Sequence, residues 1–232
     1  MNMSSIELVV FDIAGTTVRD NGSVADAFIA AFRDFGFEMP VEEVKKVMGF
    51  RKIDAIALLL GKFAPAKKDD ETLIDRIHTR FIDTMISFYR DDQDLGPLPN
   101  AEKVFAALKE QDIKVALNTG FTRSITDTIL HRLRWDDRST LIDQTICSDE
   151  VPYGRPHPDM IRQLILDLGI SSPSKVLKVG DTEVDVEEGR NAHCGVVVSV
   201  TTGAYTREQL KDYHPDFIID DLGDLLSIIK EA

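Results

Sequence analysis

Six short apolar runs, most of them separated by stretches of helical period, constrain what this chain can fold into more than any other feature. They cover residues 6–11, 113–117, 144–147, 176–179, 196–200 and 216–219 and are often bounded by Gly, Asp or Pro. Runs that are mostly apolar suit strands covered on both faces, the condition of a parallel sheet. Helical periodicity fills residues 101–110, 124–133, 158–168, 184–191 and 207–212, and an amphipathic stretch over 222–230 closes the chain. Strand alternating with helix predicts an α/β fold with a doubly wound, Rossmann-like parallel sheet.

One segment breaks the alternation. From about residue 22 to residue 90 only helical periodicity is found, as in "VADAFIAAFRDFG", "VEEVKKVMGFRKIDAIALLLG" and "ETLIDRIHTRFIDTMISFYR". The polar "VRDNGS" and "DDQDLGPLPN" border it. A length of 232 residues holds one or two domains. The expected division is an α/β core over 1–20 and 92–232 and an inserted helical cap domain over 21–91, tethered by two thin linkers that permit hinge motion over a site. No internal repeat or low-complexity tract is present.

With 27 Lys and Arg against 40 Asp and Glu, the net charge is −13. Nucleic-acid and anionic-membrane surfaces depend on clustered cations, so neither partner is expected. No apolar run approaches the roughly 18 residues of a membrane span. The opening "MNMSSIELVVF" lacks a basic leader, which predicts no signal peptide and a cytoplasmic location. Cys147 and Cys194 show no metal-ligand spacing and read as small packed side chains in a reducing compartment. An acidic chain also repels a phosphorylated substrate, so a phosphate site here has to bring its own cations or a metal.

Ligands of a doubly wound sheet bind beyond the carboxyl ends of its strands. Asp12 ends the first run, Thr119 follows "VALN", Arg155 follows the third run after "SDEVPYG", and Asp181 follows "VLKVG". Asp12 is the best-placed nucleophile, because a carboxylate can attack phosphorus and divide one displacement into two. Gly15 and Thr16 would let loop N–H groups approach phosphate oxygens. Thr119 would donate a hydroxyl hydrogen bond, Gly120 would permit close backbone approach, and Arg155, stiffened by Pro156 and Pro158, would bind the phosphoryl group. Asp12, Asp181 and Asp185 gather carboxylates at one sheet edge, which favours a hard divalent cation, and Mg²⁺ suits a phosphoryl substrate. Taken singly, each has a plainer reading: Asp181 and Asp185 as helix caps, the loop at 12–16 as an empty turn, Thr119 as a strand-ending residue, and Arg155 as a surface ion pair. Their joint placement favours chemistry.

These motifs in this order resemble the haloacid dehalogenase (HAD) superfamily of phosphotransferases over nearly the whole chain. "DIAGTT", "MGFRKIDAI", "GRPHP" and "GDTEVDVEEGRNA" look most like the phosphonoacetaldehyde hydrolases, or phosphonatases, and their close relatives. The resemblance implies an enzyme, a Mg²⁺-dependent hydrolase of a small phosphonate, with dimerisation through the cap. It implies Asp12 as nucleophile and metal ligand, the Ala14 carbonyl and Asp181 as further ligands, and Asp185 supporting the metal shell. Thr119 and Arg155 would hold the phosphonate, with Gly15, Thr16, Met48 and Gly120 beside it.

Phosphomonoesterases of the superfamily carry a carboxylate where Ala14 stands, to protonate a leaving oxygen. A phosphonate has carbon there instead and needs an electron sink, which an imine on Lys52 in "RKIDAI" would supply. Such a lysine must be neutral to attack, which calls for burial or nearby cations; Met48, Phe50, Ile53 and Arg51 are the neighbours in sequence. The family commonly has histidine where this chain has Ala55. A solvated Lys52, a phosphatase for small phosphate esters and a non-catalytic phosphate-ligand binding protein stay open as alternatives, the last disfavoured by the intact Asp12, Thr119, Arg155 and Asp181.

Overall fold

Each of the six apolar runs is a strand, and each lies parallel to its neighbours. The computed structural model describes residues 6–136 and 140–231. Strands β1 (Leu8–Phe11), β2 (Lys114–Thr119), β3 (Gln144–Cys147), β4 (Val176–Gly180), β5 (Val196–Val200) and β6 (Phe217–Ile219) form one sheet in the order β3-β2-β1-β4-β5-β6. Alternate residues of β1 enter different cores: Val9 and Phe11 join one apolar cluster, Leu8 and Val10 the other. That is the two-sided burial a continuous apolar strand requires. The chain works outward from β1 to β3 and then resumes at β4 on the other side. The connections therefore diverge at the carboxyl ends of β1 and β4, which opens a crevice there.

Between β1 and β2 lie α1 (Ser23–Arg33), α2 (Val41–Lys45), α3 (Lys52–Phe63), α4 (Glu71–Asp91) and α5 (Ala101–Lys109). The stretch from 22 to 90 is helical, with one 3-10 turn at Pro65–Lys67, as its periodicity predicts. Helix α4 starts where the Asp70 carboxylate accepts the Leu73 N–H at 3.1 Å. It buries Ile74, Ile77, Phe81, Met85 and Tyr89, a spacing of three and four that makes one stripe. The stripe packs on α1, where the Phe28 and Phe81 ring centroids are 4.5 Å apart, and the same cluster continues into the sheet face through Phe11. The two chain segments that lead into and out of these helices run side by side: the Arg19 N–H donates to Gly96 O at 3.2 Å and the Leu98 N–H to Thr17 O at 2.8 Å.

Later in the chain come α6 (Arg123–Leu133), α7 (Asp159–Asp167), α8 (Glu183–Asn191), α9 (Arg207–Lys211) and α10 (Leu225–Glu231). Two boundaries differ from the sequence pattern. Strand β2 runs on to Thr119 because Asn118 and Thr119 pair with Ile146 and Cys147 of β3. The closing stretch begins as a 3-10 turn, Leu222–Asp224, set by the Asp221 carboxylate, which accepts the Gly223 N–H at 2.6 Å. No helix among the described residues is long and apolar enough to cross a membrane. Both cysteines are free and buried, and burial pushes each thiol up to about 12, which leaves them unreactive.

Candidate active site

Asp12 stands where β1 ends, its N–H donating to Val179 O of β4 at 3.0 Å. The chain then turns back on itself through Gly15 N–H to Val18 O at 2.8 Å and Thr17 N–H to Ile13 O at 2.9 Å. Gly15 has φ +88°, and a Cβ there would lie 2.8 Å from Asp181 Oδ2, so both conformation and space demand glycine. Asp181, just past β4, is held against this turn. Its Oδ1 accepts from the Thr16 hydroxyl at 3.2 Å and its Oδ2 from the Ala204 N–H at 2.6 Å. Thr16 thus reaches the site through Asp181.

Arg155 is 1% exposed, which excludes a surface ion pair. Its Nη1 donates to Asp12 Oδ1 at 2.6 Å, its Nη2 to Asn118 O and Oδ1 at 2.7 and 2.6 Å, and its Nε to Glu188 Oε2 at 3.0 Å. Lys178, buried in β4, donates to Asn118 Oδ1 at 2.7 Å. Asn118 in turn donates to both Glu188 carboxylate oxygens at 2.9 Å. Asp185 caps α8, its Oδ2 accepting from the Thr182 hydroxyl at 2.6 Å. Its Oδ1 lies 3.0 Å from Arg155 Nη1 and 2.9 Å from Lys178 Nζ, ion pairs without hydrogen-bond alignment. The helix-cap reading of Asp185 holds, and its second oxygen faces Arg155 and Lys178, while Asp185 does not line the cavity of Asp12, Ala14 and Asp181 where the metal is expected. The sequence does not single out Asn118, Lys178 or Glu188, although a lysine inside the apolar "VLKVG" is a local signal.

Two buried cations, Arg155 and Lys178, sit among the buried carboxylates of Asp12, Asp185 and Glu188, while that of Asp181 is held by Thr16 and Ala204. Burial opposes the Arg155 charge, and the carboxylates more than offset it, so its pKa rises. Burial raises Asp12 although Arg155 pulls it down. Asp181 stands well above the ordinary carboxylate range through burial and the like charges of Asp12 and Asp185. A divalent cation beside Asp12 and Asp181 would relieve that repulsion. Among the described residues no three His, Cys, Asp or Glu side chains form a metal cluster. Mg²⁺ does not require one, since it binds through one or two carboxylates, water and substrate oxygens. Asp12, Ala14 and Asp181 line one cavity and fit that need.

Lys52 lies across the same cavity, together with Met48, Thr119 and Gly120. It is the first residue of α3 and 4% exposed. Its Nζ donates to Phe50 O at 3.3 Å and sits 5.8 and 5.3 Å from the ring centroids of Phe28 and Phe121. Burial, with Arg155 helping and Asp12 opposing, brings its pKa down from 10.5 to about 8. The solvated-lysine reading is therefore excluded. Arg51 contributes nothing visible here, because its Nη1 donates to Pro152 O at 3.0 Å. The rings that desolvate Lys52 come from α1 and from the loop after β2, so neither neighbours it in sequence. Thr119 Oγ1 accepts the Phe121 N–H at 3.1 Å, which leaves the hydroxyl proton for another acceptor. At Gly120 a Cβ would collide with the Phe50 carbonyl oxygen. The close approach this glycine permits is that of the segment carrying Lys52 onto the end of β2.

A family model described as haloacid dehalogenase-like hydrolase matches residues 6–193. A phosphonoacetaldehyde hydrolase of Paraburkholderia phytofirmans is 30% identical over 261 residues, covering 99% of this chain and 96% of that protein. One of Psychromonas ingrahamii is 31% identical over 98% of this chain and 87% of its own length. The crystal structure of a phosphonoacetaldehyde hydrolase-like protein from Oleispira antarctica superposes with a TM-score of 0.82 at 25% identity, covering 99% of this chain and 93% of that one. A match across the whole sheet and the inserted helices, with the carboxylates and the buried lysine in one cavity, leads to one statement. The chain is an enzyme of the haloacid dehalogenase-like hydrolases and belongs to their phosphonatase-like branch.

Proposed function

We propose that the enzyme cleaves the C–P bond of phosphonoacetaldehyde or a close analogue, giving acetaldehyde and phosphate. The observation that carries this reading is a single cavity holding the Asp12 carboxylate and the desolvated Lys52 amine, with Ala14 where an ester-cleaving relative needs an acid. Lys52 condenses with the substrate aldehyde to an iminium. Asp12, held by Arg155, attacks phosphorus; as the C–P bond breaks, its electron pair forms the C=C bond of an enamine and the iminium π pair returns to nitrogen. Water hydrolyses the aspartyl-phosphate, the enamine carbon takes up a proton, and hydrolysis of the imine frees acetaldehyde and the amine. Thr119 and Ala14 line the cavity beside Asp12 at the phosphoryl end, with Gly15 and Thr16 shaping the turn that carries Ala14, and Met48 lines the same cavity. Asp12, Asp181 and the Ala14 carbonyl would hold Mg²⁺, with Asp185 fixing Arg155 and Lys178 beside them. When bound, the ion supplies positive charge for the phosphoryl oxygens. The inserted helices over 21–91 act as a cap in which the start of α3 delivers Lys52.

The test is to mix the protein with phosphonoacetaldehyde and Mg²⁺ and assay both products. Equimolar acetaldehyde and phosphate, lost on chelation and restored by Mg²⁺, are expected. Cleavage of an aryl phosphate without any acetaldehyde from the phosphonate would assign the scaffold to phosphate esters instead.

The pH dependence of imine formation follows from the same lysine. Only the neutral amine attacks, and the Lys52 pKa is lowered to about 8. Borohydride trapping of an aldehyde on Lys52 should rise about tenfold per pH unit below that value and level off above it. A rise that continues to pH 10 would mean that Lys52 behaves as a solvated lysine.

A further inference from the structure

Iminium formation moves two protons from nitrogen to oxygen, yet the chain has alanine at both 14 and 55. We propose that Asp20 is the proton carrier for Lys52, an inference that rests on the imine reading above. Asp20 lines the cavity that contains Lys52, Asp12 and Ala14. Its Oδ1 accepts from the Ser23 hydroxyl at 2.8 Å and from the N–H groups of Gly22 and Val24 at 3.0 and 3.4 Å. These bonds fix the carboxylate at the start of α1, while Oδ2 takes no hydrogen bond from the described residues.

Packed against Phe121, which lines the same cavity, is a second polar group. Tyr89, at the end of α4, is wholly buried, and its hydroxyl has no hydrogen-bond partner among the described residues. Asp20 is the first charge acting on that hydroxyl, ahead of Asp12. The Asp20 charge also favours the Lys52 ammonium, against the burial that lowers its pKa, so the carboxylate lies close enough to hold that proton. A fixed carboxylate with one free oxygen thus lies within electrostatic reach of the amine and of an unsatisfied hydroxyl.

The proton balance closes on this carboxylate alone. It takes one proton from the Lys52 ammonium, and the freed amine adds to the carbonyl carbon. It hands that proton to the carbinolamine oxygen and then carries a second from nitrogen to the same oxygen. The C–O bond breaks, water leaves, and an iminium with one N–H remains. Ammonium and aldehyde have become iminium and water, and Asp20 ends as it began.

Asp20→Asn keeps the Oδ1 acceptor for α1 but cannot carry a proton. With acetaldehyde and borohydride as the probe, the rate of adduct formation on Lys52 is read by peptide mass alongside the melting temperature. An unchanged melting temperature with trapping slowed about 100-fold is expected. Asp20→Glu, which returns a carboxylate on a longer arm, should trap faster than the Asn variant, a recovery that loss of the cap alone would not produce. Unchanged trapping in Asp20→Asn, or an Asp20→Glu rate no faster than that of Asn, overturns the inference while leaving the imine intact. No adduct in the wild-type chain overturns the imine reading and the inference together.

Discussion

Lys52→Ala lowers acetaldehyde release from phosphonoacetaldehyde by more than about 1,000-fold, the expected result if the electron pair of the C–P bond has no other acceptor. At about 1.4 kcal/mol per tenfold, that is a barrier raised by more than about 4 kcal/mol. The loss is chemical, because among the described residues no other lysine lines the cavity that Lys52 shares with Asp12 and Ala14. Stability should not fall with it. The amine makes one bond, to Phe50 O, and no ion pair among the described residues. Its pKa falls from 10.5 to about 8, so the ammonium is disfavoured in the folded state. The sign follows: below about 8 the folded state carries that penalty, and stability rises with pH from about 8 to 10.5 as the folded lysine loses a proton that the unfolded one keeps. Lys52→Ala should flatten this rise in a pH series of chemical unfolding. Acetaldehyde release that survives the substitution would remove the imine from the mechanism.

Lys178→Met has the opposite signature, a large loss of stability. Lys178 is as buried as Lys52, yet it lies 2.9 Å from Asp185 and 3.5 Å from Glu188 and donates to Asn118 at 2.7 Å. Met fills nearly the same length, so what disappears is charge. Asp185 and Glu188 would then share Arg155 alone, and breaking a buried pair from one side costs about 3–5 kcal/mol. For a chain of this size the melting temperature should fall by roughly 6–20 °C, at about 2–4 °C per kcal/mol. Activity should fall too, because Arg155, freed to recentre on Glu188 and Asp185, would hold Asp12 less firmly. An unchanged melting temperature, read by circular dichroism, would show that the carboxylates are compensated without Lys178.

The two lysines show where sequence reasoning reaches and where it stops. Lys52 is legible because "RKIDAI" sits in a motif, and burial is the first cause of its lowered pKa, as expected, with Arg155 rather than the adjacent Arg51 as the contributing cation. Arg51 points to Pro152, and the rings around the amine belong to Phe28 and Phe121. Lys178 shows in the sequence only as a lysine inside the apolar "VLKVG"; its partners Asn118, Asp185 and Glu188 lie outside that run, so the local pattern does not name them. Arg155 was read as a phosphate ligand and is found gripping Asp12, a contact across 143 residues of chain.

The alternation of apolar runs with helical stretches determined the sheet, its parallel sense and the helical insertion, because strand and helix periods are properties of neighbouring residues. The placement of Asp12, Thr119, Arg155 and Asp181 after strands determined that they would meet at one edge. Tertiary structure alone decided which carboxylate each cation faces, that Gly120 admits the segment bearing Lys52, and that Asp20 shares the cavity with it. Electrostatic partners and desolvation are set by distance through space, and Arg155 alone draws partners 33, 37 and 143 positions away along the chain.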